Sequence, residues 1–267
     1  MTLEHFENRI EAVAFCRTPY KQKFGIPRQP GLVDFIRGYV ELVPPYNHID
    51  AVRGLEQYSH LWLLFSFHEN LAQGWKTTVR PPRLGGNEKL GVFATRSTFR
   101  PNGIGQSVVK LHGIRQHKGK VQLEISGMDL LDGTPIVDIK PYIPFSDSIT
   151  GAHAGIAQEP PVEVAVSFAA LAQQKLTILD NQYPHLAELI SAVLAQDPRP
   201  AYKKAKDDPK RYQVALYDLD IFWYAREHGI EVVDIVDAPK LRKVASSNSA
   251  EATDEQSDDP SKAPQID

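Results

Sequence analysis

The sequence predicts a mainly β protein, in which an antiparallel β-barrel N-terminal domain precedes a small α+β C-terminal domain. Three observations carry this prediction. Seven short apolar or alternating runs fill the first 145 residues, no long helical pattern interrupts them, and proline pairs at 44–45 and 81–82 mark loops. After Pro161 the apolar residues change to helical spacing. Many short strands separated by turns are typical of a barrel or sandwich.

The first domain, residues 1–145, contains the seven predicted strands. Each is a run of six to eleven residues rich in β-branched, aromatic or aliphatic side chains. The runs are 10–16, 33–43, 61–67, 90–95, 107–116, 120–128 and 134–142. The segment QHKGK at 116–120 separates two of them and predicts a hairpin turn.

The second domain, residues 162–240, follows a linker assigned to residues 146–161. Two stretches with apolar residues three and four apart predict amphipathic helices, the second with Pro184 at its start. Their apolar positions are Phe168, Leu171, Ala172, Leu176 and Leu179, then Leu186, Leu189, Ile190, Val193 and Leu194. The runs 212–219, 220–228 and 230–236 predict a short terminal sheet.

The last residues, 241–267, differ in composition and predict an acidic disordered tail. From Ala245 onward there are six acidic residues, one lysine and no aromatic residue, so this segment cannot bury a core. The tail contributes −5 to the net charge of −3 and leaves +2 for residues 1–244. The remaining chain is therefore mildly basic, which is compatible with an anionic partner.

Several classes of protein are excluded by missing residues. The single cysteine, Cys16, rules out an internal disulfide and a cysteine metal cluster, and the P-loop, HExxH and GxSxG motifs are absent. Val108 replaces the third glycine of a dinucleotide fingerprint. The richest apolar run, 61–67, is too short to span a membrane, and the N-terminus resembles no leader, so a cytoplasmic protein is expected.

Four polar clusters lie in or beside the strand-rich half. Arg28 and Gln29 follow Pro27 in a proline-stiffened loop, and His68 and Glu69 end an apolar strand. The other two clusters contain Arg96, Arg100 and Asn102-Gly103, and Asp129, Asp132, Asp138 and Lys140. Arginines suit carboxylates or phosphates, and paired carboxylates suit acid/base work or a metal. Each cluster could equally be an ordinary loop, strand end or turn.

In combination, these segments resemble the TrmO (YaeB) family of tRNA N6-threonylcarbamoyladenosine methyltransferases. The resemblance extends in order from about Ile10 to Val236, over KFGIPRQPG, LEQYSHLWLLFSFHEN, RPPRLGG, GVFATRSTFRPNGIG, LDGTPIVDIKPY and QDPRPAY. It implies a β-barrel methyltransferase that uses S-adenosyl-L-methionine and no metal, forms a homodimer and acts beside the anticodon of a threonine tRNA. The C-terminal domain is implied to engage tRNA.

The resemblance also implies which residues form the cofactor site. These are Pro27, Arg28, Gln29, His68, Glu69, Arg96, Gln106, Asp132, Gly133, Thr134 and Pro135. Because the acceptor is a urea-like nitrogen that must lose a proton, His68 or Glu69 is the candidate base, with Tyr142 in reserve.

A basic segment in the second half predicts an RNA contact. Its residues combine positive charge for phosphates with an aromatic ring for base stacking, although a solvated loop has the same composition. They are Arg199, Tyr202, Lys203, Lys204, Lys206, Lys210 and Arg211.

Two other classes of function remain open from the sequence. A regulator could keep the pocket and perform no chemistry, since a fold does not fix a function. A metal-dependent hydrolase could use Asp129, Asp132, Asp138 and His68, although their spacing matches no known ligand pattern.

Overall fold

The computed structural model describes residues 7–82, 88–199 and 208–239, so the predicted tail at 241–267 lies outside the described residues. The strands are β1 (Ala14–Arg17), β2 (Arg37–Leu42), β3 (His60–Ser66), β4 (Thr78–Val79), β5 (Leu90–Gly91), β6 (Ile104–His117), β7 (Lys120–Ser126), β8 (Pro135–Pro141), β9 (Val166–Phe168), β10 (Asp208–Leu216), β11 (Leu219–Arg226) and β12 (Gly229–Asp237). The α-helices are α1 (Pro144–Asp147), α2 (Ala170–Leu179) and α3 (Leu186–Ala195). The mainly β prediction is confirmed.

Six strands of the N-terminal half form a closed barrel in the order β1-β2-β7-β6-β3-β8, and β8 pairs back onto β1. All six pairings are antiparallel. In β3, Leu61, Leu63 and Phe65 are buried while the residues between them are half-buried. This alternation gives one face to the barrel interior, because successive side chains on a strand point to opposite sides.

The predicted hairpin between β6 and β7 is confirmed. Its two turn residues, Lys118 and Gly119, have φ angles of 50° and 75°. Positive φ at both positions matches the twist of the flanking strands and favours a two-residue connection.

The C-terminal half is a four-stranded sheet in the order β10-β11-β12-β9, and β9 runs parallel to β12. The two predicted helices are confirmed as α2 and α3, except that Phe168, assigned to the first helix, lies in β9. Helix α3 buries all five of its predicted apolar residues. Pro184 does not occupy the first turn of α3, because His185 at the N-cap has a left-handed backbone and the helix begins at Leu186. Strand β9, only three residues long, was not predicted.

The strand predicted at 90–95 is wrong. Only Leu90–Gly91 is extended, paired with β4, and Val92–Ala94 forms a 3-10 turn. The hydroxyl of Thr95 donates to the Val92 carbonyl at 2.9 Å and closes that turn. A short apolar run fits a turn that buries one side chain, here Val92, as well as it fits a strand.

The barrel and the C-terminal sheet share one apolar core and are joined through their backbones. The amide of Tyr217 donates to the Pro19 carbonyl at 2.7 Å, and the amide of Lys21 donates to the Ala215 carbonyl at 3.3 Å. The two halves therefore pack as one body. Among the described residues, none of the helices has the length and apolar character needed to cross a membrane.

Candidate functional site

A cavity of about 880 Å³ lies at the end of the barrel where β3 ends and β6 begins. Its walls come from the loop after β1, the end of β3, the loop before β6, the segment after β7 and the segment after α3. The lining residues are Pro82, all of 64–70, and some members of 23–29, 95–106, 129–134 and 193–199. The volume is typical of a site for a cofactor-sized ligand.

Eight of the eleven predicted cofactor residues line this cavity. They come from four separate segments, which the barrel closure brings to one end. The residues are Pro27, Arg28, Gln29, His68, Glu69, Arg96, Gln106 and Thr134. Gln106 stands on β6 opposite Leu64 of β3, so the strand register itself sets two of the walls.

The other three predicted residues, Asp132, Gly133 and Pro135, shape a turn behind the wall. The carboxylate of Asp132 accepts hydrogen bonds from the Thr18 amide at 3.0 Å and from Lys21 Nζ at 2.6 Å. Gly133 has a φ of 80°, a conformation that favours glycine. Pro135 begins β8 and pairs with Phe15. This turn holds Thr134 in place. The carboxylate of Asp132 within the turn is already bonded to Thr18 and Lys21.

Tyr142, the reserve candidate for the base, lies away from the cavity. Its ring packs against Trp62 with centroids 5.6 Å apart, and against His60. Trp62 is four residues from Ser66, the last residue of β3, which corresponds to roughly 13 Å along the strand. In this chain, the phenol does not reach the cavity lining.

The arginines of the cavity are held by oxygen atoms of the protein. Arg28 donates from Nε to the Gln196 carbonyl at 3.2 Å and from Nη2 to the Asp197 carbonyl at 2.8 Å. Arg100 donates to the Thr95 carbonyl at 2.6 Å. Arg96 donates to the side-chain oxygen of Gln29 at 2.7 Å. Because Arg28 and Arg100 bind backbone carbonyls, they fix the loops, whereas Arg96 binds another lining side chain.

Arg199, predicted to contact RNA phosphates, is buried. Its Nε and Nη2 each donate to the Asp197 carboxylate at 2.9 Å, and 6% of the residue is exposed. A guanidinium in this position cannot meet a phosphate on the surface, so the structure assigns Arg199 to the cavity wall. Tyr202, Lys203, Lys204 and Lys206 lie outside the described residues.

Lys210 and Arg211, the other members of the predicted RNA segment, project from β10 beside aromatic rings. Arg211 Cζ lies 3.9 Å from the ring centroid of Phe222, and Lys210 Nζ lies 5.4 Å from that of Tyr212. On the neighbouring strand, Arg226 Cζ lies 4.6 Å from the ring of Tyr224. Phe222, Tyr224 and Arg226 alternate along β11, a signal that the sequence contains and that the prediction missed.

Asp129 is a cavity residue that the sequence presented only as part of an acidic turn. Its Oδ1 accepts a hydrogen bond from the hydroxyl of Ser107 at 2.5 Å. Burial in the cavity wall raises the pKa of this carboxyl to about 6, against the lowering effect of Ser107, its own backbone amide and Arg96. A carboxyl perturbed in this way, in a cleft, is typical of functional sites.

The acidic residues do not assemble into a metal centre. No group of three or more His, Cys, Asp or Glu side chains among the described residues could hold a metal ion. Asp138 instead forms an ion pair with Lys140 at 2.7 Å, and Asp132 is bound to Lys21. The metal-dependent hydrolase hypothesis therefore receives no support from the described part of the chain.

Comparisons with known proteins agree with the arrangement of two sheets. The family model described as the tRNA-methyltransferase O N-terminal domain matches residues 15–148, and the TrmO C-terminal domain matches residues 161–238. The chain belongs to the TrmO family. A relative from Escherichia coli strain K12, named tRNA (adenine(37)-N6)-methyltransferase, is 53% identical over 84% of this chain and 96% of its own length.

Two further TrmO relatives come from Pseudomonas aeruginosa. One, from strain PAO1, is provisionally named an S-adenosylmethionine-dependent methyltransferase and is 49% identical over 85% of this chain and 96% of its own length. A crystal structure of TrmO superimposes with a TM-score of 0.72 at 42% identity, and the match covers 88% of this chain and all of that one. The predicted family is confirmed over both halves of the chain.

Proposed function

We propose that this chain is an S-adenosyl-L-methionine-dependent tRNA methyltransferase that acts on N6 of adenosine 37, and that its acceptor is N6-threonylcarbamoyladenosine in a threonine tRNA. The observation that carries the proposal is the cavity at the barrel end, where five cationic side chains surround two carboxylates. The cations are Lys23, Arg28, Arg96, Arg100 and Arg199, of which Arg199 is paired with Asp197, and the lining carboxylates belong to Glu69 and Asp129. The names of its relatives support the same reaction.

The lining fits the methyl donor. Phe65 and Leu130 offer apolar surface for an adenine ring, and Gln29 and Gln106 offer amides for polar atoms of the ligand. Arg96 is held by the neutral side chain of Gln29 and by no backbone carbonyl, so it can turn toward the donor's carboxylate with little cost to the backbone. Arg28 positions the loop that carries Pro27 and Gln29. His68, Glu69 and Thr134 also line the cavity.

The excess of positive charge also fits the acceptor. A threonylcarbamoyl group adds a second carboxylate to the one on the donor, and a cavity of about 880 Å³ exceeds the space that the smaller cofactors need. Two anionic groups in one cleft are favoured where cations outnumber carboxylates. Plain adenosine adds no carboxylate, so part of the positive charge of the cavity would have no anionic partner.

S-Adenosyl-L-methionine supplies a methyl group that its sulfonium already activates. The residues of the chain then mainly orient the acceptor nitrogen, exclude water and remove one proton. Holding two reacting groups in line, with their atoms about 3 Å apart, supplies a large part of the rate enhancement in such transfers. We assign orientation to the cavity walls, which residues 1–145 build together with lining residues of 193–199.

A surface on the C-terminal sheet is the proposed tRNA contact: Arg211, Phe222, Tyr224 and Arg226 lie on its outer side, and Lys210 lies beside Tyr212 at the exposed start of β10. Its arginines lie over aromatic rings and pair with Asp234 and Glu231, yet 46% and 49% of the Arg211 and Arg226 side chains remain accessible. Such side chains bind phosphates and stack on unpaired bases. We assign this role to residues 162–240 and name the five residues the arginine-aromatic face.

The chain is further proposed to act as a cytoplasmic homodimer. The segment between the two sheets exposes apolar side chains, among them Phe145, Ile149 and Val162 with 93%, 74% and 90% of their surface accessible. Large apolar groups at this exposure are typical of a surface that another subunit covers. Residues 146–161 thus act as a connection and as part of the proposed contact.

The test is methyl transfer from labelled S-adenosyl-L-methionine to two threonine tRNAs that differ only at position 37. One carries threonylcarbamoyladenosine and the other carries plain adenosine. We expect label on the modified tRNA alone. Label on both would overturn the assigned acceptor, and donor binding without label on either would favour the regulator that keeps a pocket and performs no chemistry.

A further inference from the structure

Asp129 differs from the other carboxylates at the barrel end in how its charge is balanced. Glu69 lies 3.3 Å from Lys23 Nζ, and Asp132 lies 2.6 Å from Lys21 Nζ. Asp129 receives a hydroxyl hydrogen bond from Ser107, and no cationic side chain of the described residues lies within ion-pair distance of it. Asp129 is thus a cavity carboxylate that is not neutralised by an ion pair with a lysine or arginine of the described residues.

The proposed reaction needs a group of this kind. When the acceptor nitrogen bonds to the methyl carbon, the bond between carbon and sulfur breaks and its electron pair remains on sulfur. The nitrogen must then lose its proton to avoid a permanent positive charge. A positioned base that takes this proton in the transition state contributes about 10² to 10⁴ in rate.

We propose that Asp129 is the base that takes the proton from the acceptor nitrogen, and that Ser107 is the positioning residue that orients the carboxylate. The proposal rests on the proposed function. The Ser107 hydroxyl holds Oδ1 and the backbone amide of Asp129 also bonds the carboxyl, which lines the cavity and keeps lone pairs for the N–H of the acceptor. The proton passes from nitrogen to the carboxylate, and the neutral acid later returns it to solvent.

The surroundings of Asp129 suit this role at neutral pH. Its pKa is raised to about 6, so the carboxyl is mostly ionised near pH 7 and is a stronger base than an ordinary aspartate. Arg96 faces it from the loop before β6, Cys16 from β1 and Tyr20 from the segment after β1. Burial raises the pKa of both Cys16 and Tyr20, so these two groups stay protonated and do not compete for the proton.

The structure favours Asp129 over the two candidates that the sequence suggested. Lys23 forms an ion pair with Glu69 and also donates to its backbone carbonyl at 3.4 Å. For His68, no hydrogen bond from a described residue fixes either ring nitrogen, whereas a catalytic imidazole is normally oriented by a partner. Asp129 has both its orientation and its basicity set by neighbours.

The experiment compares Asp129→Asn with the wild type and with Asp138→Asn. Asp138 carries the same charge on β8, forms a pair with Lys140 and does not line the cavity, so its variant controls for the loss of one negative charge. Single-turnover methyl transfer to the modified tRNA is measured against pH, with donor affinity from calorimetry. We expect a loss of about 100-fold or more for Asp129→Asn, a donor affinity within about threefold of wild type, and no change for Asp138→Asn.

Two readouts keep the proposal testable if Asp129→Asn fails to fold. Carbon NMR of the donor-free wild-type protein should show Asp129 titrating near pH 6. In Ser107→Ala, loss of the hydrogen bond that lowers this pKa should move both that titration and the acid limb of the rate profile to higher pH. An unmoved acid limb, or a variant that loses donor affinity but transfers normally at saturating donor, would overturn the proposal. Wild-type protein without transfer would instead contradict the proposed function.

Discussion

Side chains at the barrel end have two kinds of position: some face the cavity, and others hold the loops that form its wall. Arg28 and Arg199 both look like ligand contacts in the sequence, yet the structure joins both to residues 196–197. Asp197 has a φ of 45° and pairs with Arg199 in a site where about 5% of either side chain is exposed. A buried guanidinium requires such a partner, because desolvation of an unpaired charge is costly. The segment after α3 is therefore held against the cavity by charge and hydrogen bonds together.

This arrangement predicts a large effect of a conservative change at Asp197. Asparagine tolerates the left-handed backbone, so Asp197→Asn removes the charge and little else. Breaking one partner of a buried pair should lower the free energy of unfolding by about 3 kcal/mol. The measurement is urea unfolding at pH 7.

The matched control is Glu11→Gln, which removes the partner of Arg9 in an exposed pair. That change should lower the free energy of unfolding by less than about 1 kcal/mol. Equal effects of the two substitutions would contradict the structural role assigned to the buried pair.

Among the secondary-structure elements, β6 is the one that most directly shapes the site. Its first residues line the cavity, and its register against β3 places Gly105 opposite Phe65. A Cβ atom at Gly105 would lie 2.4 Å from Phe65 Cζ and 2.8 Å from Phe67 Cζ. The glycine is therefore required by two aromatic rings that stand edge to face 5.0 Å apart. An apolar wall of the cavity depends on this close approach.

We expect Gly105→Ala to displace these rings, to cost about 1–3 kcal/mol of stability and to weaken donor binding. Gly113→Ala is the control on the same strand, because a Cβ there meets nothing within 4 Å. Calorimetric titration of S-adenosyl-L-methionine and thermal unfolding measure both effects. A Gly105→Ala protein with wild-type donor affinity would show that the rings do not shape the donor site.

The whole molecule places the cavity at the barrel end and the arginine-aromatic face, which we propose bind the donor and tRNA, on two sheets that pack together. Their separate sheets share a core, and the backbone hydrogen bonds from Tyr217 to Pro19 and from Lys21 to Ala215 join them. A tRNA held on the arginine-aromatic face can thus present one nucleotide at a fixed place relative to the barrel. Because phosphate contacts release counterions, this face should dominate the salt dependence of tRNA binding.

Replacing Lys210 and Arg211 together by alanine tests this relation. The slope of log affinity against log salt concentration should fall by about 1 for each lost phosphate contact, while donor affinity stays unchanged. Filter binding over a series of salt concentrations measures the slope. The control is Arg53→Ala, whose side chain is 79% exposed on the barrel. If the control flattens the slope as much as the double substitution does, the effect is one of net charge and the face is not a specific contact.

The sequence by itself determined the mainly β class, both long helices, the β6–β7 hairpin and the family. These follow from local periodicity and from long ordered motifs, which folding does not alter. It could not separate strand from turn at 90–95, because six apolar and small residues satisfy either pattern.

Only the tertiary structure decided which polar residues share a cavity. Barrel closure brought eight predicted residues to one end and left Tyr142 beside Trp62, four residues along β3 from that end. The turn after α3 directs Arg199 to Asp197. It also gave Asp129 its raised pKa. Burial and charge neighbours are properties of contacts between distant segments, such as Ser107 with Asp129, and no local pattern in the chain encodes them.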